Sequence, residues 1–362
     1  SPGTDTITGS SVTWTIAGAN AGTGGGYNWS SFENLTDTGT AAISGNGSVA
    51  GNIAVTGGST FGGSLAAGGS INVGGNATFN GILSSGTTLT VNGTSAMNSS
   101  QITSGGTQTY TGAVTATGTT NYVQSAAGAI TFGSSITGGT NFEIATGGTV
   151  TLGGPVGGMT NFYVTGSLPT GAEPQPFADL TNIPKAGAIV SSQNITSSTP
   201  TTGTITLSAN SMAGLTGGTY TTGLLRLSAN TPPPNNAVTI NVGNLSIAGP
   251  NTANWVLAGT VSSNTVLVPS GSSFGVTVGG VSIKEGTQDK LVESTLASAA
   301  GSASAQASKE AANTFGTDSV AQQVEYGFAG DVGVLPPIDH RLLGVGISVP
   351  KCFNESREGE NC

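Results

Sequence analysis

The chain has 362 residues, of which 60 are glycine, and only 7% of its positions are charged. Its net charge is −9, and it has no cluster of Lys and Arg of the kind that binds nucleic acid or acidic lipid. No apolar run is long enough to predict a transmembrane helix.

The first 49 residues already look like repeat sequence. The chain starts at Ser1 without a signal peptide, so we expect a mature fragment of a longer protein whose export signals lie upstream. We predict N-terminal β coils over residues 1–49.

Residues 50–166 carry the clearest repeat. Apolar triplets recur every 18 residues in its first half, and Asn-aromatic pairs recur every 20 in its second half. Such a period is typical of stacked repeats. Short alternating runs between Gly-rich turns predict three strands per coil and therefore a parallel β-helix. The aligned sets are 53–55, 71–73 and 89–91; Asn121, Asn141 and Asn161 with their aromatic neighbours; Tyr110, Ile130 and Val150; Gly112, Phe132 and Leu152; Ala116, Ile136 and Val156.

The three aligned Asn residues have two interpretations. Identical aligned amides favour hydrogen bonds from coil to coil. Asn also tolerates left-handed turn geometry, which would place it at corners without such a ladder.

A Pro-rich stretch interrupts the repeat at residues 167–203. Proline cannot donate to a central ladder, so we predict an excursion that leaves the coil and returns near Thr204. It could be a binding face or a passive insertion. The phrase at 205–210 returns at 225–230, and strands to Ile283 predict a continued β-helix over 204–283.

The charge distribution argues against an enzyme, a metal site or a cofactor site. Residues 1–184 contain no Lys, Arg or His and six scattered carboxylates, and His340 is the only histidine. Glycan-cleaving sites need paired carboxylates or acidic metal ligands with a base. The carboxylates are Asp5, Glu33, Asp37, Glu143, Glu173 and Asp179.

The C-terminal part is a different material. Ala-rich patterns predict short α-helices within 284–330, which would either cap the open end of the coils or lie at a partner's mouth. Residues 331–362 predict an extended tail. Its Cys352 and Cys362 favour a disulfide loop, with an incidental pair as the alternative.

Several phrases together resemble the filamentous-haemagglutinin-like exoproteins of two-partner secretion. The phrases are the N-terminal motif at 14–16, 18–22 and 32–36, the coil sequence at 148–158, and the C-x9-C spacing of Cys352 and Cys362. The pair is similar to the terminus of the high-molecular-weight adhesins of that family. The N-terminal secretion domain of the family has no counterpart here.

The resemblance implies a right-handed β-helix and a non-enzymatic bacterial surface adhesin. It implies that Cys352 and Cys362 anchor the tail in the pore of an outer-membrane β-barrel transporter, which places the chain at the cell surface. A host-cell or surface receptor stays unidentified. A structural stalk without a receptor is the alternative function, and a polysaccharide-processing enzyme is a third.

Overall fold

The computed structural model describes residues 4–98, 101–166, 183–235 and 237–249, with further strands between 254 and 289. Every regular element in these residues is a β-strand. They all belong to one compact unit, Ser1–Ala297. The second unit, Ser298–Cys362, lies outside the described residues.

The strands wind into a parallel β-helix of about 10 turns, and the prediction of that fold is confirmed. Successive strands of each face pair in parallel with the strand one turn earlier, which forms three faces, A, B and C. Face A contains β1 Thr6–Gly9, β5 Asn34–Asp37, β7 Ile53–Val55, β10 Ile71–Val73, β13 Leu89–Val91, β16 Gln108–Tyr110, β19 Ile130–Phe132, β22 Thr149–Leu152 and β25 Ala186–Ser191.

Faces B and C are built in the same way. Face B contains β2 Thr13–Gly18, β8 Ser59–Phe61, β11 Ala77–Phe79, β14 Ser95–Met97, β17 Val114–Ala116, β20 Ile136–Gly138, β23 Val156–Gly157 and β26 Ile195–Thr196. Face C contains β9 Ser64–Ala67, β12 Ile82–Ser85, β15 Gln101–Ser104, β18 Thr120–Ser125, β21 Asn141–Thr146 and β24 Asn161–Thr165.

Long strands bend from one face to the next and extend the stack. These are β6 Ala41–Val49, β27 Thr204–Leu215, β28 Thr219–Thr231, β29 Thr239–Ala248 and β31 Val261–Leu267. For example, β27 pairs with β24 on face C at its start and with β25 on face A at its end. The last strands are β30 Asn254–Leu257, β32 Gly275–Val278, β33 Val281–Ile283 and β34 Gln288–Asp289.

The predicted N-terminal coils, 1–49, contain an unexpected antiparallel layer. Strands β3 Ala21–Gly24 and β4 Tyr27–Ser30 continue face B beyond β2 in antiparallel order. Two tryptophans of this layer, Trp14 and Trp29, are buried. Because they cover the apolar end of the first turn, the layer caps the stack.

The interior is filled because alternate strand residues point inward and stack on like residues one turn away. Phe61 and Phe79 stack with ring centroids 5.6 Å apart, and Tyr110 stacks on Phe132 at 5.0 Å. The Tyr110 hydroxyl donates to Gln108 Oε1 at 2.7 Å. These contacts link consecutive turns through both apolar and polar groups.

The predicted alignment is wrong for one turn. Tyr110 pairs with Phe132, not Ile130, and Ala116 pairs with Gly138, not Ile136; Gly112 likewise does not align with Phe132. The cause is two additional residues in the corner that precedes β18. Five positions separate Met97 from Ile102, but seven separate their partners Ala116 and Val123. Corners absorb insertions, whereas strand register is kept. The alignments of Ile130 with Val150, Phe132 with Leu152 and Ile136 with Val156 are confirmed.

The excursion is shorter than the predicted 167–203. The chain is back in register at Ala186, not near Thr204, because β25 pairs with β22 and β26 with β23. The continued β-helix of 204–283 is otherwise found, although β33 ends it antiparallel to β32. The helices predicted within 284–330 and the tail 331–362 fall on residues that the structure does not describe.

Candidate functional site

The first candidate group is a buried carboxylate in the N-terminal cap. Asp37 accepts hydrogen bonds from Ser11 N–H at 2.7 Å, Val12 N–H at 3.0 Å, Gly39 N–H at 2.8 Å and Trp14 Nε1–H at 2.9 Å. Burial by itself raises the pKa of Asp37, but these four donors outweigh it and hold the pKa below its usual range. With every donor satisfied, Asp37 ties β2 to β5 and is structural.

The second candidate is a pair of outward-facing rows on faces A and B. In row A, four threonines follow each other in register: Thr90, Thr109, Thr131 and Thr151. Row B is formed by Thr60, Thr78, Ala96, Thr115 and Thr137.

Both rows are exposed or half-buried and carry no charge. Residues 38–142 contain no Asp, Glu, Lys, Arg or His, so neither row has a charged neighbour in this part of the sequence. Threonine side chains are stiff at χ1, and neighbouring strands lie about 4.8 Å apart. The rows are therefore regular, uncharged arrays of hydroxyl and methyl groups.

The third candidate is a column of side chains on the outside of face C, here called the outer column. It runs in register through Gln101, Tyr122, Glu143, Tyr163, Thr206, Arg226 and Ser246. Unlike rows A and B, it contains both aromatic and charged groups. Tyr122, Glu143 and Thr206 are buried although they point away from the coil interior.

Glu143 is the most unusual member of the outer column. Its neighbours Phe142 and Ile144 point into the core, so its own side chain points outward between Tyr122 and Tyr163. It is 1% exposed, and its Oε1 has no hydrogen-bond partner. Burial raises the pKa of Glu143 to about 8, although a hydrogen bond with Thr165 offsets part of the rise.

The neighbours of Glu143 respond to the same burial. Burial first, and then the Glu143 carboxylate, raise the pKa of Tyr122 to about 12. Burial also raises the pKa of Tyr163, with Arg226 acting in the opposite direction. Burial lowers the pKa of Arg226, partly offset by Tyr163. The column is thus a linked polar strip rather than a set of independent surface groups.

The residues singled out from the sequence are distributed unevenly. Cys352, Cys362 and His340 lie outside the described residues. Asn161 Nδ2 donates to Asn141 Oδ1 at 2.7 Å, so that step of the amide ladder exists. Asn121 does not join it, because it pairs with Phe142 and points into the interior.

The sequence reasoning counted Glu143 as one scattered carboxylate and missed its role in the outer column. Its signal was available: it is the single charged residue between Asp37 and Glu173, and it sits between inward-facing apolar residues. Its burial could not be foreseen, since an outward strand position is normally solvated.

The structure offers no metal centre or membrane-spanning helix in the parts of the chain that it describes. No group of three or more His, Cys, Asp or Glu is gathered there that could hold a metal ion. No helix there is long and apolar enough to cross a membrane. Comparison with protein-family models, curated proteins and solved structures finds no match.

Proposed function

We propose that the chain belongs to a non-enzymatic bacterial surface adhesin. In this proposal an outer-membrane two-partner-secretion transporter exports it, and the Cys352–Cys362 loop retains it at the cell surface with the tail in the transporter pore. The observation that carries the proposal is the β-helix with two exposed, uncharged rows of regularly spaced side chains. Such an array suits contact with a surface better than chemistry on a small substrate.

Other features support the same proposal. The stack holds its outer rows in fixed register, so many weak contacts can act together on one surface. The resemblance of the N-terminal motif and the C-x9-C spacing to two-partner-secretion adhesins supports the export route and the anchor. A structural stalk or fibre segment without receptor binding remains the second candidate, because the same fold serves as a spacer.

A binding assay with row variants separates adhesion from a stalk. We expect saturable binding of the full chain to host cells or an abiotic surface. Thr131→Lys on row A or Thr137→Lys on row B should weaken it, depending on which row makes contact. Both residues point outward, so each change should alter the free energy of unfolding by about 0.5 kcal/mol or less. Absence of saturable binding by the wild-type chain would favour the stalk.

The anchor is tested separately from adhesion. If a disulfide loop holds the tail in a transporter pore, reduction with dithiothreitol should release the protein from cells into the medium. Cys362→Ser should do so without reduction. Undiminished surface retention in both experiments would remove the anchor from the proposal and leave the adhesive rows untouched.

A further inference from the structure

The Glu143 carboxyl is the described group that the proposed function leaves unexplained. It is almost completely buried on the outside of face C, and its Oε1 is unpartnered. Burial without a partner is costly for a carboxylate and far less so for the neutral acid. The site therefore discriminates between the two protonation states of Glu143.

The Thr165 hydroxyl connects Glu143 to the backbone. It forms a hydrogen bond with the Glu143 carboxyl, and its Oγ1 lies 3.3 Å from the carbonyl oxygen of Gly166. A hydroxyl has a single hydrogen, so it donates to one of these two acceptors at a time.

The protonation state of Glu143 decides how this hydrogen is used. When Glu143 is protonated, its O–H can donate to Thr165 Oγ1, and Thr165 can donate to the Gly166 carbonyl. All three groups are then satisfied. When Glu143 is ionised, its carboxylate and the Gly166 carbonyl compete for one hydrogen, and the loser is a buried acceptor without a partner.

Gly166 is where the chain leaves the regular coil, and it touches the point of return. Its N–H donates to the Pro184 carbonyl at 2.8 Å. A Cβ on Gly166 would lie 2.7 Å from the backbone N and O of Lys185, so the two chain segments are packed backbone to backbone. The Gly166–Pro184 junction is thus one residue away from the hydroxyl that Glu143 contacts.

We propose that Glu143, Thr165 and Gly166 form a pH-sensitive latch that holds the Gly166–Pro184 junction closed while Glu143 is protonated. Ionisation of Glu143 takes the Thr165 hydrogen from Gly166 and loosens the junction. The latch is a property of the fold and does not depend on the adhesion proposal.

Few other titratable or charged groups on the described elements surround the latch. Tyr122 and Tyr163 flank Glu143 on the adjacent strands, and both are neutral below about pH 9 because burial raises the pKa of each. Arg226 lies two strands beyond Tyr163, and Lys185 lies at the junction. Glu173 and Asp179 lie outside the described residues.

The direction of the pH effect follows from the pKa of Glu143, which burial raises from 4.5 to about 8. The latch is strongest below about pH 4.5, where Glu143 is protonated whether the junction is closed or open. It weakens as pH rises from there, by up to about tenfold in the opening equilibrium per pH unit. Above about pH 8 it weakens no further, since Glu143 is then ionised in both states.

Amide hydrogen exchange on the full chain tests the latch. We expect the protection factor of the Gly166 amide, which corrects for base catalysis, to fall at least tenfold between pH 5 and pH 8 and then level off. Glu143→Gln cannot ionise and should keep a constant protection factor over this range. Glu33→Gln removes a distant carboxylate and should keep the wild-type profile.

A second variant tests the role of Thr165. Thr165→Val removes the hydroxyl and retains the carboxyl, so Gly166 protection should already be low at pH 5. A melting curve at pH 6 checks that each variant is folded. The latch is overturned if wild-type protection does not change with pH, if Glu143→Gln follows the wild-type profile, or if Thr165→Val does so.

Discussion

Asp37 and Glu143 are both buried carboxyl groups, yet their surroundings act on them in opposite directions. Asp37 accepts four hydrogen bonds, which stabilise the ionised form more than burial destabilises it. Glu143 has one hydrogen bond and an unpartnered oxygen, so burial dominates. The number of donors, not the degree of burial, sets the charge state of each group.

Replacing Asp37 should destabilise the cap. In Asp37→Asn one acceptor oxygen becomes an amide that faces N–H donors, so we expect the free energy of unfolding to fall by about 1–3 kcal/mol. Urea unfolding at pH 7 measures this. Glu33→Gln is the control, because Glu33 accepts a single exposed hydrogen bond from Asp5 N–H. An equal loss in both variants would mean that the buried network contributes nothing special.

The same residue predicts an acid dependence. Since the pKa of folded Asp37 lies below its model value of 3.8, its contribution is fully present above about pH 4 and is lost as pH falls through the folded value. Wild-type stability should therefore drop below pH 4 more steeply than that of Asp37→Asn. Parallel pH profiles of the two proteins in urea unfolding would contradict this assignment.

At the scale of the elements, the corners are where one turn comes closest to the next. A Cβ on Gly81 would lie 1.7 Å from the Gly63 carbonyl oxygen, whereas one on Gly62 would meet nothing nearer than Ser44 Cβ at 3.7 Å. Both glycines lie close to the corner between faces B and C. Only one of them is sterically required.

This difference gives a matched pair of substitutions. Gly81→Ala should lower the free energy of unfolding by about 1–3 kcal/mol, because the backbone of the preceding turn must move. Gly62→Ala should be neutral or stabilise the protein by up to about 1 kcal/mol, since alanine restricts the unfolded chain. Thermal melts of both variants provide the comparison. If both are tolerated equally, the spacing between turns is looser than described.

The elements also show how far sequence reasoning reached. Apolar alternation predicted the strands from Ile53 to Val91 in correct register, because strands there recur at a constant 18 residues. It failed at Tyr110, where the corner before β18 is longer. It also extended the excursion too far, since proline content marks where pairing is interrupted but not where it resumes.

On the scale of the described unit, composition predicted the architecture better than the site. Scarce charge and abundant glycine indicated stacked coils with little capacity for chemistry, and the β-helix agrees with that fold. The antiparallel cap and the outer column were not predicted. Both depend on contacts between residues of different turns, such as Trp14 with Asp37, which no local pattern encodes.

Distances between spin labels on the outside of face A test the stack most directly. In a chain with Cys352 and Cys362 replaced by serine, Ala54→Cys would be paired in turn with Thr109→Cys, Thr151→Cys and Val190→Cys. These partners lie three, five and six strands from Ala54, so backbone separations near 14, 24 and 29 Å are expected. The labels should follow this progression. Distances that follow sequence separation instead, or that do not increase along the series, would contradict the parallel in-register stack.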